Sequence, residues 1–319
     1  MNIAHSIMKV SLFACITLLC ACSSGPAEKP LPESLSSPAY LLDQGIQEYA
    51  DNNYASAINI FSKALLQYRS IDNQTGIARS CMNLANAHMA INNNDIAATY
   101  LKKADEIIQQ SSLIELQEHL QLLKSTLAIN NGAYETALEE LPVPLNSKTV
   151  TILLAALKNR TNIAFTLDTD DKQSWLDKYK TLQKKTANTP SHLARIYRFE
   201  ADLAKDISAQ NTLLAQALNI SRKIADRPAI AATLTQWASI DIRNNSFLYA
   251  EDKNIRALFI RHQLGDVKNS LKILKQLNTI YIETKDSKQS LTENWIEQLS
   301  NNNMKNWPGL FDSYNTYPK

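Results

Sequence analysis

The side chains able to bind a metal or to catalyse hydrolysis are scattered along this 319-residue chain. His88, His119, His192 and His262 lie too far apart in sequence for a zinc motif such as HExxH. The six glycines stand singly, so there is no GxxxxGK phosphate loop, and no GxSxG nucleophile elbow is present. We therefore expect no metal, no cofactor and no enzymatic activity.

One acidic stretch, Asp168-Thr169-Asp170-Asp171, has the spaced carboxylates that begin a calcium loop. Such a loop also needs a glycine at its sixth position and a closing glutamate, and the sequence has neither. The stretch therefore predicts a solvated turn or a helix start. The remaining route to catalysis is a hydrolase site assembled from distant residues, which would have to lie within hydrogen-bond reach of one another.

The elements that position these side chains repeat with a period of forty residues, which indicates a solenoid of helical hairpins. Gly45 is followed at that spacing by Ala85 and Ser125. Small residues are needed where two helix axes cross closely. The small residues that we assign to such crossings are Gly45, Ala57, Ala64, Ala85, Ala97, Ala104, Ala137, Ala238, Ala250 and Ala257.

The turn between the two helices of a hairpin has the same period. Asn52, Asn92 and Gly132 lie forty residues apart, and Asn and Gly readily adopt the left-handed conformation that ends a helix. Pro142 and Pro144 interrupt the third hairpin, because proline cannot continue the helical hydrogen bonds. With 45% apolar residues and only 6 glycines, the composition also favours helix over sheet.

This spacing resembles the tetratricopeptide repeat. The matching residues are Gly45, Tyr54, Ala57, Phe61 and Ala64 in the first repeat and Ala85, Ala97, Leu101 and Ala104 in the second. The resemblance implies an all-α fold, a right-handed superhelical solenoid of about seven such hairpins. In that family the first helix of each hairpin lines the concave face.

The N-terminal segment has the features of a signal peptide. Lys9 precedes VSLFACITLLCA, an apolar run too short to span a bilayer as a stable helix. A basic residue before a short apolar run is typical of a secretory signal. Met1 and Met8 are both possible starts, and the sequence does not choose between them.

The end of this segment, Leu19-Cys20-Ala21-Cys22, resembles the lipobox of bacterial lipoproteins. The resemblance implies lipid attachment at Cys22, which follows a small residue. Ser23 comes next instead of the aspartate that retains such proteins in the inner membrane, which implies the outer membrane and its periplasmic face. An ordinary secretory signal with chance cysteines is the alternative.

The chain divides into six parts. They are a lipoprotein signal peptide (1–21), a disordered tether (22–38), repeats 1–3 (39–146), a degenerate repeat 4 (147–187), repeats 5–7 (188–302) and an aromatic C-terminal tail (303–319). We expect the tail to cap the last hairpin, and a segment that lies in this protein's own groove or in a partner is the alternative. The net charge is +2 without a basic stripe, so we expect no nucleic-acid partner.

One face of the first helix of repeat two suggests a binding surface. Side chains spaced three, four and seven residues apart share a helix face; amides both donate and accept hydrogen bonds, and methionine adapts to varied apolar shapes. The candidate partner-binding residues are Arg79, Met82, Asn83, Asn86 and Met89, with His119, Thr126, Ser239, Arg243 and Lys275 extending the groove. In the resembled family, asparagines at such places contact bound peptide.

These observations together predict a non-catalytic periplasmic scaffold or adaptor. It would be anchored in the outer membrane by its N-terminal lipid and would bind a segment of another envelope protein in its concave groove. The alternative is a lipoprotein that binds peptidoglycan or another glycan, with Trp175, Trp237 and Trp295 as aromatic platforms.

Overall fold

The computed structural model describes residues 37–141, 149–187, 189–301 and 309. Within these residues the chain forms fourteen α-helices, a 3₁₀ turn at Ile114–Leu116 and no strand. The helices are α1 Pro38–Ala50, α2 Tyr54–Ser70, α3 Gln74–Ala90, α4 Asn94–Gln110, α5 Gln117–Asn131, α6 Tyr134–Glu139, α7 Val150–Thr166, α8 Lys172–Lys185, α9 Pro190–Leu203, α10 Ile207–Lys223, α11 Arg227–Arg243, α12 Phe247–Gln263, α13 Val267–Thr284 and α14 Lys288–Ser300.

Consecutive helices pack in pairs, and each pair packs on the next along the chain. The pairs make seven hairpins, from hairpin 1 (α1 and α2) to hairpin 7 (α13 and α14). The prediction of an all-α solenoid of about seven helical hairpins is therefore confirmed.

Each turn within the first three hairpins contains one residue in the left-handed conformation. The φ angles are 61° at Asn52, 61° at Asn92 and 78° at Gly132. The residue after each of these donates its amide to a carbonyl five residues back, for example Asn53 N to Glu48 O at 2.8 Å. This Schellman arrangement satisfies the carbonyls at the helix end and gives each hairpin the same short turn.

The small residues predicted at helix crossings are all buried. Gly45 on α1 lies under the ring of Phe61 on α2, and a Cβ atom at Gly45 would come within 2.4 Å of the ring. Hairpins 1 to 3 share one core cluster, which runs from Leu41 to Leu123. A second cluster, from Leu218 to Leu299, belongs to the C-terminal hairpins. Stacked hairpins thus bury apolar faces that a single hairpin would leave in water.

The second helix of hairpin 3 is much shorter than its counterparts. Helix α6 ends at Glu139, whereas α4 in the preceding hairpin extends over 17 residues. The two prolines that predicted this interruption, Pro142 and Pro144, lie outside the described residues.

One turn residue carries backbone strain that a single substitution can relieve. Ala225, between α10 and α11, has a φ of 53°, and a left-handed L-residue costs roughly 1–2 kcal/mol. We expect Ala225→Gly to raise the free energy of unfolding by about 0.5–1 kcal/mol, measured by urea unfolding. The matched control, Ala98→Gly at an exposed helical position of α4, should lower it by about as much, and a destabilised Ala225→Gly protein would contradict the strain.

Several sequence predictions fall on parts of the chain that the structure does not describe. The signal peptide, Cys22 and nearly all of the tether and of the aromatic tail lie outside the described residues. None of the helices in the described ranges combines the length and the apolar character that a bilayer crossing needs. Cys81 is fully buried as a free thiol in α3.

Candidate binding site on the inner face

The first helices of the hairpins form the inner layer of the solenoid. Each first helix from α1 to α7 also contacts the next first helix, and the same holds from α9 to α13. A stack whose first helices approach each other more closely than its second helices curves toward the first helices. We call this surface the inner face.

The curvature brings the first hairpin against hairpins 5 and 6. The guanidinium Nη2 of Arg227, at the start of α11, donates to the carbonyl of Asn52 at 2.8 Å. In return the Asn52 side chain donates to the carbonyl of Ala225 at 3.3 Å. The turn of hairpin 1 is thus bonded to residues more than 170 positions away.

We call the row of contacts between the turns of the first hairpins and hairpins 5 to 7 the seam. Two further contacts belong to it. The Asn92 side chain, in the turn of hairpin 2, donates to Oδ1 of Asp266 between α12 and α13. The Lys268 ammonium donates to the carbonyl of Asn130 near the end of α5. Turns of the first three hairpins therefore meet the N-terminal ends of α11 and α13, and the inner face is partly enclosed.

Two adjoining cavities lie on the enclosed inner face, with volumes of about 530 and 650 Å³. Arg195 and Arg198 of α9 and Asp226 before α11 line both. The first cavity extends toward Tyr49 and Lys158, on α1 and α7. We call the two cavities together the inner chamber. Their volumes are within the range of sites for small molecules and short peptide segments.

Basic side chains outnumber acidic ones in the lining of the inner chamber. The cations are Lys158, Arg195, Arg198, Arg243, Arg261 and Lys272. The carboxylates are Asp202 and Asp226. Only Arg261 among these cations is in an ion pair within the described part of the chain, with Asp266 at 2.8 Å. A surplus of positive charge is therefore concentrated here although the whole chain is nearly neutral, at +2.

Burial and the charge of Arg195 depress the pKa values of its neighbours. Desolvation, with a smaller contribution from Arg195, lowers the pKa of Lys158 to about 8 and that of Arg198 to about 9. The pKa of His192 falls to about 4 because of burial first and then of Lys158 and Arg195. Burial is the larger cause in each case, and it also raises the pKa of Asp202, so only the smaller contribution from neighbouring cations reflects the positive charge of the chamber.

Hydrogen bonds hold several chamber side chains in place. The Nε of Arg198 donates to Oε1 of Gln236 at 2.9 Å, while Gln236 Nε2 donates to Asp202 at 2.8 Å. The Tyr179 hydroxyl and Nδ1 of His192 share a hydrogen bond of 2.6 Å. These hydrogen bonds fix the orientation of the side chains in the chamber wall.

Three of the five predicted partner-binding residues on α3, and also His119, are at least partly accessible. Arg79 and His119 are exposed, and Asn83 and Asn86 are half-buried. The Asn86 side chain hydrogen-bonds the hydroxyl of Tyr49, which lines the chamber. Asn86 of the predicted amide face therefore lies beside the inner chamber. Of the residues predicted to extend it, Ser239 and Arg243 also line the chamber.

The inclusion of two methionines in the partner-binding face was wrong. Met82 and Met89 are 1% and 5% exposed and belong to the core of the first hairpins. Both occupy the edge of the α3 stripe that turns toward the neighbouring helices, where apolar side chains lose the most contact with water. A partner could touch them only if the core repacked.

The tryptophan platforms of the glycan alternative are largely covered. Trp295 is 5% exposed in the C-terminal core, so its assignment as a platform was wrong. Lys253 lies 5.0 Å from the ring centroid of Trp237, and Lys178 lies 4.1 Å from that of Trp175. Sugar stacking needs an open ring face, which these cations occupy.

The scattered chemistry-bearing residues do not form a metal cluster. No group of three or more His, Cys, Asp or Glu that could hold a metal occurs among the described residues. Asp168 lies in a turn with a φ of 53°, and Asp171 precedes α8. The acidic stretch is therefore the turn and helix start that the sequence predicted.

Sequence reasoning missed the basic chamber. Its charges come from α7, α9, α11, α12 and α13, so no short window of sequence is basic. Arg195 and Arg198 are three residues apart on one first helix, and this is the signal that could have been used. Sorting charges by predicted helix face would have placed both on the inner face.

Comparison with known proteins adds no relative: no family model matches this chain, and no curated protein matches it.

Proposed function

We propose that this protein is a non-catalytic adaptor that holds a segment of another protein of the bacterial envelope on its inner face. The observation that supports the proposal best is the inner chamber, two adjoining cavities walled by first helices of successive hairpins. A repeat scaffold uses its second helices and core for stability, which leaves the polar side chains of the first helices for recognition. Asn86 of α3 lies beside the same space.

The proposal includes an N-terminal lipid on Cys22 that anchors the protein in the outer membrane, on the periplasmic side. Residues 22–38, rich in Ser and Pro, would separate the solenoid from the bilayer. In cells expressing the full chain, we expect labelling with a palmitate analogue that is lost in Cys22→Ser and kept in the control Cys20→Ser. Unchanged labelling of Cys22→Ser would refute the anchor.

The adaptor function is tested at the two half-buried amides of α3, Asn83 and Asn86. The full chain and the variant Asn83→Ala/Asn86→Ala would be crosslinked in intact envelopes, purified and analysed by mass spectrometry. We expect a discrete partner whose recovery falls at least about tenfold in the variant, because each buried amide lost leaves its partner group unpaired.

The matched control is Gln109→Ala/Gln110→Ala, two exposed amides on α4 of the same hairpin. Recovery of the partner should be the same as with the unaltered protein. Equal recovery from both variants would show that the inner face does not bind the partner and would overturn the proposal.

A further inference from the structure

The inner chamber brings several positively charged side chains close together without an equal number of negatively charged ones. Lys158, Arg195 and Arg243 make no ion pair among the described residues, and Asp202 and Asp226 are the acidic side chains of the lining. Asp226 is already engaged as the N-cap of α11, accepting from the amide of Ala229 at 3.0 Å. Like charges confined in a partly desolvated space repel one another, and an acidic ligand would remove this cost.

Buried donors without partners indicate where a ligand oxygen would bind. Nη1 of Arg198 is buried and has no hydrogen-bond partner in the described structure, although its Nε is fixed by Gln236. Nε of Arg261 is also buried and unpartnered. A guanidinium held by one hydrogen bond and open at another nitrogen is preorganised for an oxyanion.

The shape of the chamber favours an extended ligand over a single ion. Its cations are spread over both cavities, whose shared lining includes Arg195 and Arg198. Neutral polar side chains, among them Thr235, Gln236 and Ser239, line the second cavity together with the cations. The cavities are too small for a nucleic-acid duplex, whose grooves and phosphates need an exposed basic surface.

We propose that the inner chamber binds an acidic peptide segment whose carboxylates contact Arg195, Arg198 and Lys158. This inference rests on the proposed adaptor function and adds the chemical class of the partner segment. The depressed pKa values of Lys158 and Arg198 agree with it, because a bound carboxylate would favour their charged forms.

The test is fluorescence anisotropy of the full chain with short labelled peptides. One peptide alternates glutamate with serine, and its control has glutamine in place of glutamate. We expect the acidic peptide to bind and the glutamine peptide not to bind. Arg195→Gln should weaken binding by about tenfold or more, because the lost charge is partly desolvated. Arg222→Gln, the same change at an exposed position of α10, should leave binding unchanged.

Thermal unfolding distinguishes a loss of binding by Arg195→Gln from a loss of the folded structure. Removing Arg195 relieves repulsion on its neighbours, so the unliganded variant should melt at the same temperature as the unaltered protein or higher. Equal binding of acidic and glutamine peptides would overturn the charge assignment, as would stabilisation by inorganic phosphate without peptide binding. In either case the crosslinking experiment with the Asn83→Ala/Asn86→Ala variant would still test the adaptor function separately.

Discussion

Replacement of Asp266 by alanine is expected to lower the free energy of unfolding by roughly 3–5 kcal/mol, because it leaves a buried arginine unpaired. Asp266 is 2% exposed, and its Oδ2 accepts from Nη1 of Arg261 at 2.8 Å. Its Oδ1 caps α13 by accepting from the amide of Asn269 at 3.1 Å and also accepts from Asn92 across the seam. One side chain therefore joins a helix cap, an ion pair and a contact between distant hairpins.

Urea unfolding followed by circular dichroism measures this effect, and two variants separate its parts. Asp266→Asn keeps the capping oxygen but loses the charge, so it should cost less than alanine. The matched control is Asp252→Ala, which breaks an exposed pair with Arg256, also 2.8 Å long, on α12. Exposed pairs contribute about 0–1 kcal/mol. An Asp266→Ala protein as stable as this control would contradict the assigned role.

Gly45→Ala should have the next largest effect, a loss of roughly 2–3 kcal/mol, at the upper end of the range for over-packed cores. The added Cβ would lie 2.4 Å from Cε1 and 2.5 Å from Cδ1 of Phe61. Phe61 is 1% exposed in the core of hairpins 1 to 3, so its ring has no open space to enter. The added methyl group would therefore separate α1 from α2.

Hairpin 2 indicates which second substitution should relieve the clash between an alanine at position 45 and Phe61. At the equivalent positions it carries Ala85 and Leu101, which are both buried. The double variant Gly45→Ala/Phe61→Leu should therefore recover most of the stability that Gly45→Ala loses, and urea unfolding of the two single variants and the double variant completes the cycle. If the double variant were no more stable than Gly45→Ala, a steric clash with Phe61 would not be the cause.

The fold was predictable because its causes lie within single hairpins. The small side chains at positions such as Ala57 and Ala97 are buried where helices cross. Asn52 and Asn92 adopt the left-handed conformation that their side chains tolerate. Both features depend on local backbone geometry and on contacts within one hairpin. Because they recur every forty residues, the number of hairpins can be counted from the sequence.

The binding face was predictable only in part. Asn83 and Asn86 are half-buried and Asn86 lies beside the chamber, whereas Met82 and Met89 are in the core. Helical spacing predicts which side chains share a stripe, but the width of the buried part of that stripe depends on how closely the adjacent helices approach. That approach is set by several hairpins together.

The helical hairpins, their turns and the small residues at their crossings follow directly from the order of the amino acids, because each depends on interactions within about forty residues. The contact of the turn at Asn52 with Arg227, and the chamber lined by Lys158, Arg195 and Lys272, arise instead from the way in which all the hairpins stack. The curvature of a solenoid is the sum of small rotations between successive hairpins. No single stretch of sequence carries that sum, so contacts between residues more than 170 positions apart become visible only in the assembled coil.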